Sequence, residues 1–339
     1  MYKENSNLKR LKESISIEKQ KTSERTYISG LLELKKSLKY EKLQTIIYKP
    51  SIIALDTNKN IYIFDSPVMQ IHKISLTKDF DKYKQIVFKT MKGQGPGEIG
   101  RLSDFKIYKN KLYLIDKISN SIKIYSNNGS LIKDIRIKSN LSLILEKITF
   151  SDEKPIICTY ANDFLFHKCN IDGNVLKNFG NYIDKTNNEI IYHQYSVSNS
   201  VNKNEFYYFP LYLGFVGVYK DCKLLFAKET IDGVKSPRVI NEKIGDSRTS
   251  RMSGMSLMTV YDFAIHEEFI IIKVVDMVKK KSYWDIYTPD TFNYLFSLKN
   301  PPKVYDFVVK ENILVCAEEE VLNIYNIKNL IEKIRAKHL

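Results

Sequence analysis

Three glycines in the stretch from Lys92 to Tyr125, at Gly95, Gly97 and Gly100, spell GxGxxG, the spacing that lets a backbone close around a pyrophosphate. That chemistry needs a helix to begin at the last glycine, with its first N–H groups aimed at the phosphates. Here the following residues, Arg101 to Tyr108, form another alternating apolar segment, and Pro96 occupies the turn. The loop is therefore read as structural, with no nucleotide and no other cofactor. Its glycines supply positive φ and close backbone approach, which leaves Glu98 and Arg101 as an exposed polar pair for a ligand or for neighbouring backbone.

Other candidate chemistry is tested the same way. Asp56, Asn58 and Asn60 match the first positions of a calcium loop, but Ile61 replaces the required glycine and Pro67 the bidentate glutamate, so a hairpin turn is expected. The five histidines (His72, His167, His193, His266, His338) stand apart, with no HExxH and no Cys/His cluster. No GxSxG is present, so no catalytic residue and no metal ligand is assigned. Arg248 and Arg251 fall in a long connection, residues 228 to 258, where they are candidates for an anion. Met252, Met255 and Met258 beside them offer an adaptable apolar surface. Phe209, Tyr212 and Phe215 cluster in YYFPLYLGFVG and are expected at a loop tip, able to stack on a sugar or a peptide.

The elements that would position these residues are strands. Tyr (23) and Phe (17), with many Ile and Val, suit a pleated, half-buried surface, while Gly and Pro fall mostly between apolar runs. Groups of four short strands recur: 52–55, 61–64, 70–76 and 85–90; then 105–108, 112–115, 121–126 and 131–137; then 148–150, 155–160, 165–171 and 175–179. The fourth and fifth groups lie at 196–227 and 261–298. A sixth, at 305–309, 313–317 and 321–327, lacks its outer strand, and the segment Tyr40 to Ile47 is expected to complete it from the N-terminus. The second strands IYIFD, LYLID, FYYFP and ILVCA recur at blade spacing, too long for a solenoid. The fold class is thus all-β: a six-bladed β-propeller of four-stranded antiparallel blades, the last closed by an N-terminal strand.

Ahead of it, residues 1–27 read as a flexible basic arm. Ser29 to Lys39 has helical spacing of Leu31, Leu34 and Leu38 and predicts a short helix. The propeller spans 28–330, with 331–339 as a tail.

The motif GQGPGEIGRLSDF, followed by LYLID and SIKIYSNNGSLIKDI, resembles the bacterial six-bladed β-propeller family, whose repeats are similar to NHL repeats. ISGLLELKKSLKYEKLQ resembles the short helix and first strand ahead of that family's first blade. The similarity covers residues 28–330 and fades in the fourth and fifth blades. It implies a propeller without common catalytic residues, in a family whose members are often exported or lipid-anchored.

Charge and cysteine content narrow the partners. The net charge is +14, and residues 1–50 hold 12 basic and 6 acidic side chains, so much of it precedes the first blade. The remainder is spread thinly as lysine, a solvated surface rather than a nucleic-acid footprint. Cys158, Cys169, Cys222 and Cys316 form no CxxC; Cys158 and Cys169 would face each other only in a hairpin centred near 162–164, and buried free thiols are the preferred reading. No run of 18 apolar residues spans a membrane, and the opening MYKENSNLKRLKES lacks the apolar core of a signal peptide, so the chain is expected to stay where it is made. The function expected is a monomeric, non-catalytic scaffold for a protein, peptide or glycan, held at a channel mouth formed by loops 92–104, 209–216 and 228–258. The alternatives are a metal-dependent hydrolase or lyase in the channel and, more weakly, RNA binding.

Overall fold

The computed structural model describes residues 16–88, 90–93, 95, 97–138, 144–151, 153–160, 164–181, 195–199, 205–234, 238–244, 247–253 and 257–338. Its strands form six antiparallel blades around an axis. Blade 1 is Pro50–Leu55, Ile61–Asp65, Gln70–Leu76 and Tyr83–Phe88. Blade 2 is Leu102–Tyr108, Lys111–Asp116, Ser121–Ser126 and Leu131–Arg136. Blade 3 is Ile144–Ser151, Lys154–Tyr160, Phe164–Cys169 and Val175–Asn181. Blade 4 is Tyr195–Asn199, Glu205–Pro210, Phe215–Lys220 and Lys223–Glu229. Blade 5 is Leu257–Ile265, Ile270–Asp276, Lys281–Tyr287 and Tyr294–Leu298. Blade 6 is Asp306–Lys310, Ile313–Ala317 and Val321–Asn326.

The buried apolar residues fall into six clusters, one at each junction between neighbouring blades. Phe64 and Phe105 meet between blades 1 and 2, Phe166 and Phe206 between 3 and 4, and Val315 and Ile63 between 6 and 1. Each blade is hydrophobic on both faces because each face is covered by a neighbour, and burying one such side chain contributes roughly 1.5–3 kcal/mol. At the 5–6 junction Trp284 lies stacked on Phe307, ring centroids 4.3 Å apart.

The strand that closes blade 6 is Glu33–Lys39, antiparallel to Val321–Asn326 with Leu38 opposite Leu322. This corrects both the helix expected over 29–39 and the closing strand expected at 40–47. The unpaired N–H and C=O groups of Val321–Asn326 need a partner, and that demand overrides weak helical spacing in a lysine-rich segment. Residues 40–42 form a 3-10 turn, and Tyr40, Leu43 and Ile47 plug the junction of blades 6 and 1. Apolar plugging explains why that segment reads as a strand.

Residues 16–32 do not form a free arm. Ile17–Glu18 pairs in parallel with the outer strand of blade 4, and Tyr27–Ile28 with that of blade 5. Between them the Gln20 amide nitrogen donates to the Glu229 and Phe292 carbonyls, and its oxygen accepts the Tyr294 N–H. The Arg25 guanidinium bonds both Asp232 and the fully buried Asp285. The segment is a strap across the outer edges of blades 4 and 5 that leads into the outer strand of blade 6. At the other end Lys328–His338 is a helix rather than a tail, with Leu330 and Ile334 buried against blades 5 and 6.

Candidate functional site

Because strands alternate in direction, the turn between second and third strands and the crossing to the next blade lie on the same face of every blade. The channel runs from that face, at Ser51, Tyr261 and Tyr305, toward the opposite one, at His266, Glu267 and Glu311. The channel is lined by first strands of all six blades, with Ile53, Asp104, Lys147, Val197, Asp262 and Asp306 among the lining residues, and encloses about 650 Å3.

An Asp-Phe pair recurs in three of these strands, at 104–105, 262–263 and 306–307. The phenylalanines turn into the junctions, and two of the aspartates staple blades together. Asp104 Oδ2 accepts the Ile148 N–H of blade 3 (3.1 Å), and Asp306 Oδ2 accepts the Ile53 N–H of blade 1 (2.6 Å). Each carboxylate thereby satisfies an N–H that the channel-facing edge of a first strand would leave without a partner.

Asp262 departs from the pattern. Its Oδ1 accepts its own Phe263 N–H (2.8 Å), while the N–H it would staple, that of Phe307, is taken by Asp306 Oδ1 (2.8 Å). Asp262 Oδ2 is left buried without a conventional donor, beside the Asp306 carboxyl. Burial, then the neighbouring Asp306 charge, pushes the Asp262 carboxyl well above the usual carboxylate range, and burial raises Asp306 as well. Two carboxyls this close share a proton rather than both ionise. Lys147 stands across from them, 3.8 Å from Asp104 Oδ1; burial disfavours its charge, but Asp104, Asp306 and Asp262 outweigh that and hold it protonated. The channel thus presents a cation and a protonated carboxyl pair at one level, a site for a ligand with both donors and acceptors. Among the described residues no three His, Cys, Asp or Glu side chains are grouped to hold a metal ion.

The sequence-predicted residues do not converge here. Glu98 turns inward on its own loop, its Oε2 accepting the Gly95 N–H (2.8 Å), and a Cβ at Gly93 would collide with that carboxylate. Gly97 has φ +77° and its carbonyl accepts the Tyr125 hydroxyl, which explains the glycine-rich spelling. Arg101 is exposed, and its N–H donates to Asp116 Oδ1. Phe209, Tyr212 and Phe215 are buried (0%, 7% and 2% exposed), with Phe209 packed 4.1 Å from Phe263 between blades 4 and 5. Their expected place at an open loop tip is corrected: Leu211 and Gly214 carbonyls bond Val260 and Thr230, drawing the turn down under the next crossing. Arg248 and Arg251 lie on a two-stranded hairpin, Arg238–Ile244 with Ser247–Ser253, opposite Lys243 and Ile240; their side chains lie outside the described residues.

The remaining motifs resolve as structure. Asp56 accepts the Asn58 and Asn60 N–H groups, the Asn60 amide and the Tyr62 hydroxyl, so its oxygens are spent on a hairpin turn. Cys158 lies opposite Phe166 and packs toward blade 4, whereas Cys169 packs toward blade 2, so they face opposite sides of one sheet; all four cysteines are buried and none forms a disulfide. Sequence reasoning passed over Asp104, Asp262 and Asp306, although the threefold Asp-Phe at the start of first strands was the signal.

Together these features define the class: a six-bladed β-propeller. No protein-family model and no curated protein matches the chain. Among solved structures it is similar to a member of the DUF4221 family from Bacteroides vulgatus ATCC 8482 (TM-score 0.59, 8% identity, covering 87% of this chain and 97% of that one). It is also similar to a protein described as exported from Bacteroides fragilis NCTC 9343 (TM-score 0.58, 14% identity, covering 93% and 99%). A streptogramin B lyase matches at TM-score 0.51 and 9% identity, covering 86% and 97%. At such identities the likeness is one of fold. No helix among the described residues is long and apolar enough to cross a membrane.

Proposed function

We propose that this propeller is a binding scaffold that holds a protein, peptide or glycan ligand at the mouth of its channel. The observation that carries the reading is the division of labour among the channel aspartates. Asp104 and Asp306 each bond the backbone of the next blade, while Asp262 makes no such staple and shares a proton with Asp306 on the wall of a cavity of about 650 Å3. A carboxyl pair that is not wholly committed to the backbone can exchange its shared hydrogen bond for one to a ligand hydroxyl or amine.

The test is a peptide and glycan array probed with the wild-type chain and with Asp262→Leu. Ligands retained by the wild type and lost in the variant support the reading. Ligands held equally by both would remove the channel from the account.

A second reading, a hydrolase or lyase acting in the same channel, is favoured by one feature: a carboxyl pair with one member protonated is a general acid in waiting. It requires turnover that is abolished in both Asp262→Asn and Asp306→Asn. Metal dependence would show as activity lost to a chelator and restored by a divalent ion.

A further inference from the structure

A second cavity of about 1280 Å3 crosses the same face, from the strap at the rim of blade 5 to the channel mouth, where Tyr261 and Tyr305 line both cavities. Tyr27 of the strap forms its outer end. Tyr27, Tyr261 and Tyr305 are 48%, 42% and 43% exposed, and Met277 beside them is 50% exposed. Such large apolar side chains in one groove are characteristic of a contact surface.

Two of the rings are held in place from behind. Lys273 is buried, donates to the Val304 carbonyl and sits 4.4 Å from the centre of the Tyr261 ring. Arg25 sits 4.6 Å from the centre of Tyr283 while bonded to Asp285. The aromatic walls are therefore preorganised, which lowers the entropy cost of binding. Val275, Leu298, Pro301 and Val304 make an apolar floor.

Charge completes the description. Lys280, Lys281, Lys299 and Lys303 stand exposed along the groove, and none is ion-paired with a carboxylate among the described residues. On the acidic side Asp276 is committed to Lys279, leaving Glu319 on the wall. Four unpaired cations around an apolar, tyrosine-walled trough call for an anionic partner with apolar groups between its charges.

We propose that this groove binds an extended acidic peptide segment whose aromatic or aliphatic side chains seat between the tyrosines while its carboxylates meet the four lysines. The apolar floor offers too few hydrogen-bonding groups for a glycan. Glu319 repels a chain that carries a phosphate at every residue, whereas a peptide can place an apolar side chain there. The proposal rests on the scaffold reading and adds to it an adjoining site with a partner class.

The experiment uses the full chain and a labelled peptide alternating glutamate with phenylalanine and leucine, read by fluorescence polarisation. Its lysine-for-glutamate counterpart, polyuridylate and polygalacturonate are the comparison probes. The acidic peptide is expected to bind well above the other three. Affinity should fall about tenfold or more in Tyr261→Ser with Tyr305→Ser, and again in Lys299→Glu with Lys303→Glu. Lys78→Glu, in a turn on the opposite face, should leave it unchanged. These are surface positions, and native circular dichroism checks that the variants fold. Failure of the acidic peptide to bind, equal binding of either polyanion, or full affinity in the groove variants would overturn the groove. Loss only in Asp262→Leu would move the peptide into the channel and leave the scaffold reading standing without this groove.

Discussion

Blades 1 and 2 and blades 5 and 6 solve the same problem, holding a crossing against the sheet it feeds, by different means. In the first pair a buried aspartate ends the second strand and clamps the incoming backbone. Asp65 accepts the Tyr48 and Lys49 N–H groups (both 2.9 Å), and Asp116 accepts those of Gly100 (3.1 Å) and Arg101 (3.0 Å). In blade 5 the equivalent Asp276 is turned to its own hairpin at Lys279, and in blade 6 the position is Ala317. The edge of blade 5 is tied from outside instead, where Ser297 and Lys299 N–H groups donate to the Thr26 and Ile28 carbonyls of the strap. The tyrosine-lined groove runs along the crossing that is fastened from without.

The comparison can be broken at its strongest point. Asp116→Ala removes the acceptor of three backbone N–H groups and the Ser119 hydroxyl, and takes one of two nearby carboxylates from the buried Lys123. Burial raises the Asp116 carboxyl, but these donors outweigh it and hold it below its ordinary range, a measure of how much they favour the charge. A loss of about 3–5 kcal/mol is expected in urea denaturation. Arg25→Leu tests the external fastening. It strands Asp285, which is fully buried, and should cost roughly 3 kcal/mol, much of it recovered in Arg25→Leu with Asp285→Asn.

The third expectation concerns pH. Asp262 and Asp306 have raised pKa values, so the folded state binds more protons than the unfolded one above pH about 4; their contribution is full below that point and is lost as pH rises through the folded values. Asp262→Asn should flatten this slope and stabilise the fold near neutrality. A variant as pH-sensitive as the wild type would show that the pair carries no shared proton. The smallest effect belongs to Asp276→Ala, which removes a turn contact and should cost below about 1 kcal/mol. A cost as large as that of Asp116→Ala would erase the contrast between the two pairs of blades.

Most of the fold was legible because each blade is local. Alternation, turn residues and repeated IYIFD-like strands placed the blades from nearby residues, and even the fourth and fifth fell within a few positions. What was not legible depends on residues far apart. Glu33–Lys39 is a strand only because Val321–Asn326 waits for it, and nothing in GLLELKKSLK announces that edge. Phe209 and Phe215 were misplaced for the converse reason: aromatics beside Pro and Gly look like a loop tip until the neighbouring blade covers them. The groove gathers Tyr27, Tyr261, MVKKKSY, KNPPKVY and Glu319 from widely separated stretches. The paired Lys-rich turns, each followed by a tyrosine, were its one local sign.

The strap has a consequence for how the chain reaches its native state. Arg25 meets Asp285 across 260 residues, and the last sheet borrows its outer strand from the beginning of the polypeptide. Contacts so distant in sequence form late, since a long loop must be closed before they repay its entropy. During synthesis the early blades can collapse while the ring still gapes, and the leading segment must stay unengaged until the final blade emerges. Circular permutants cut between residues 39 and 50 should join that strand covalently to its own blade, refold faster and keep the same wheel.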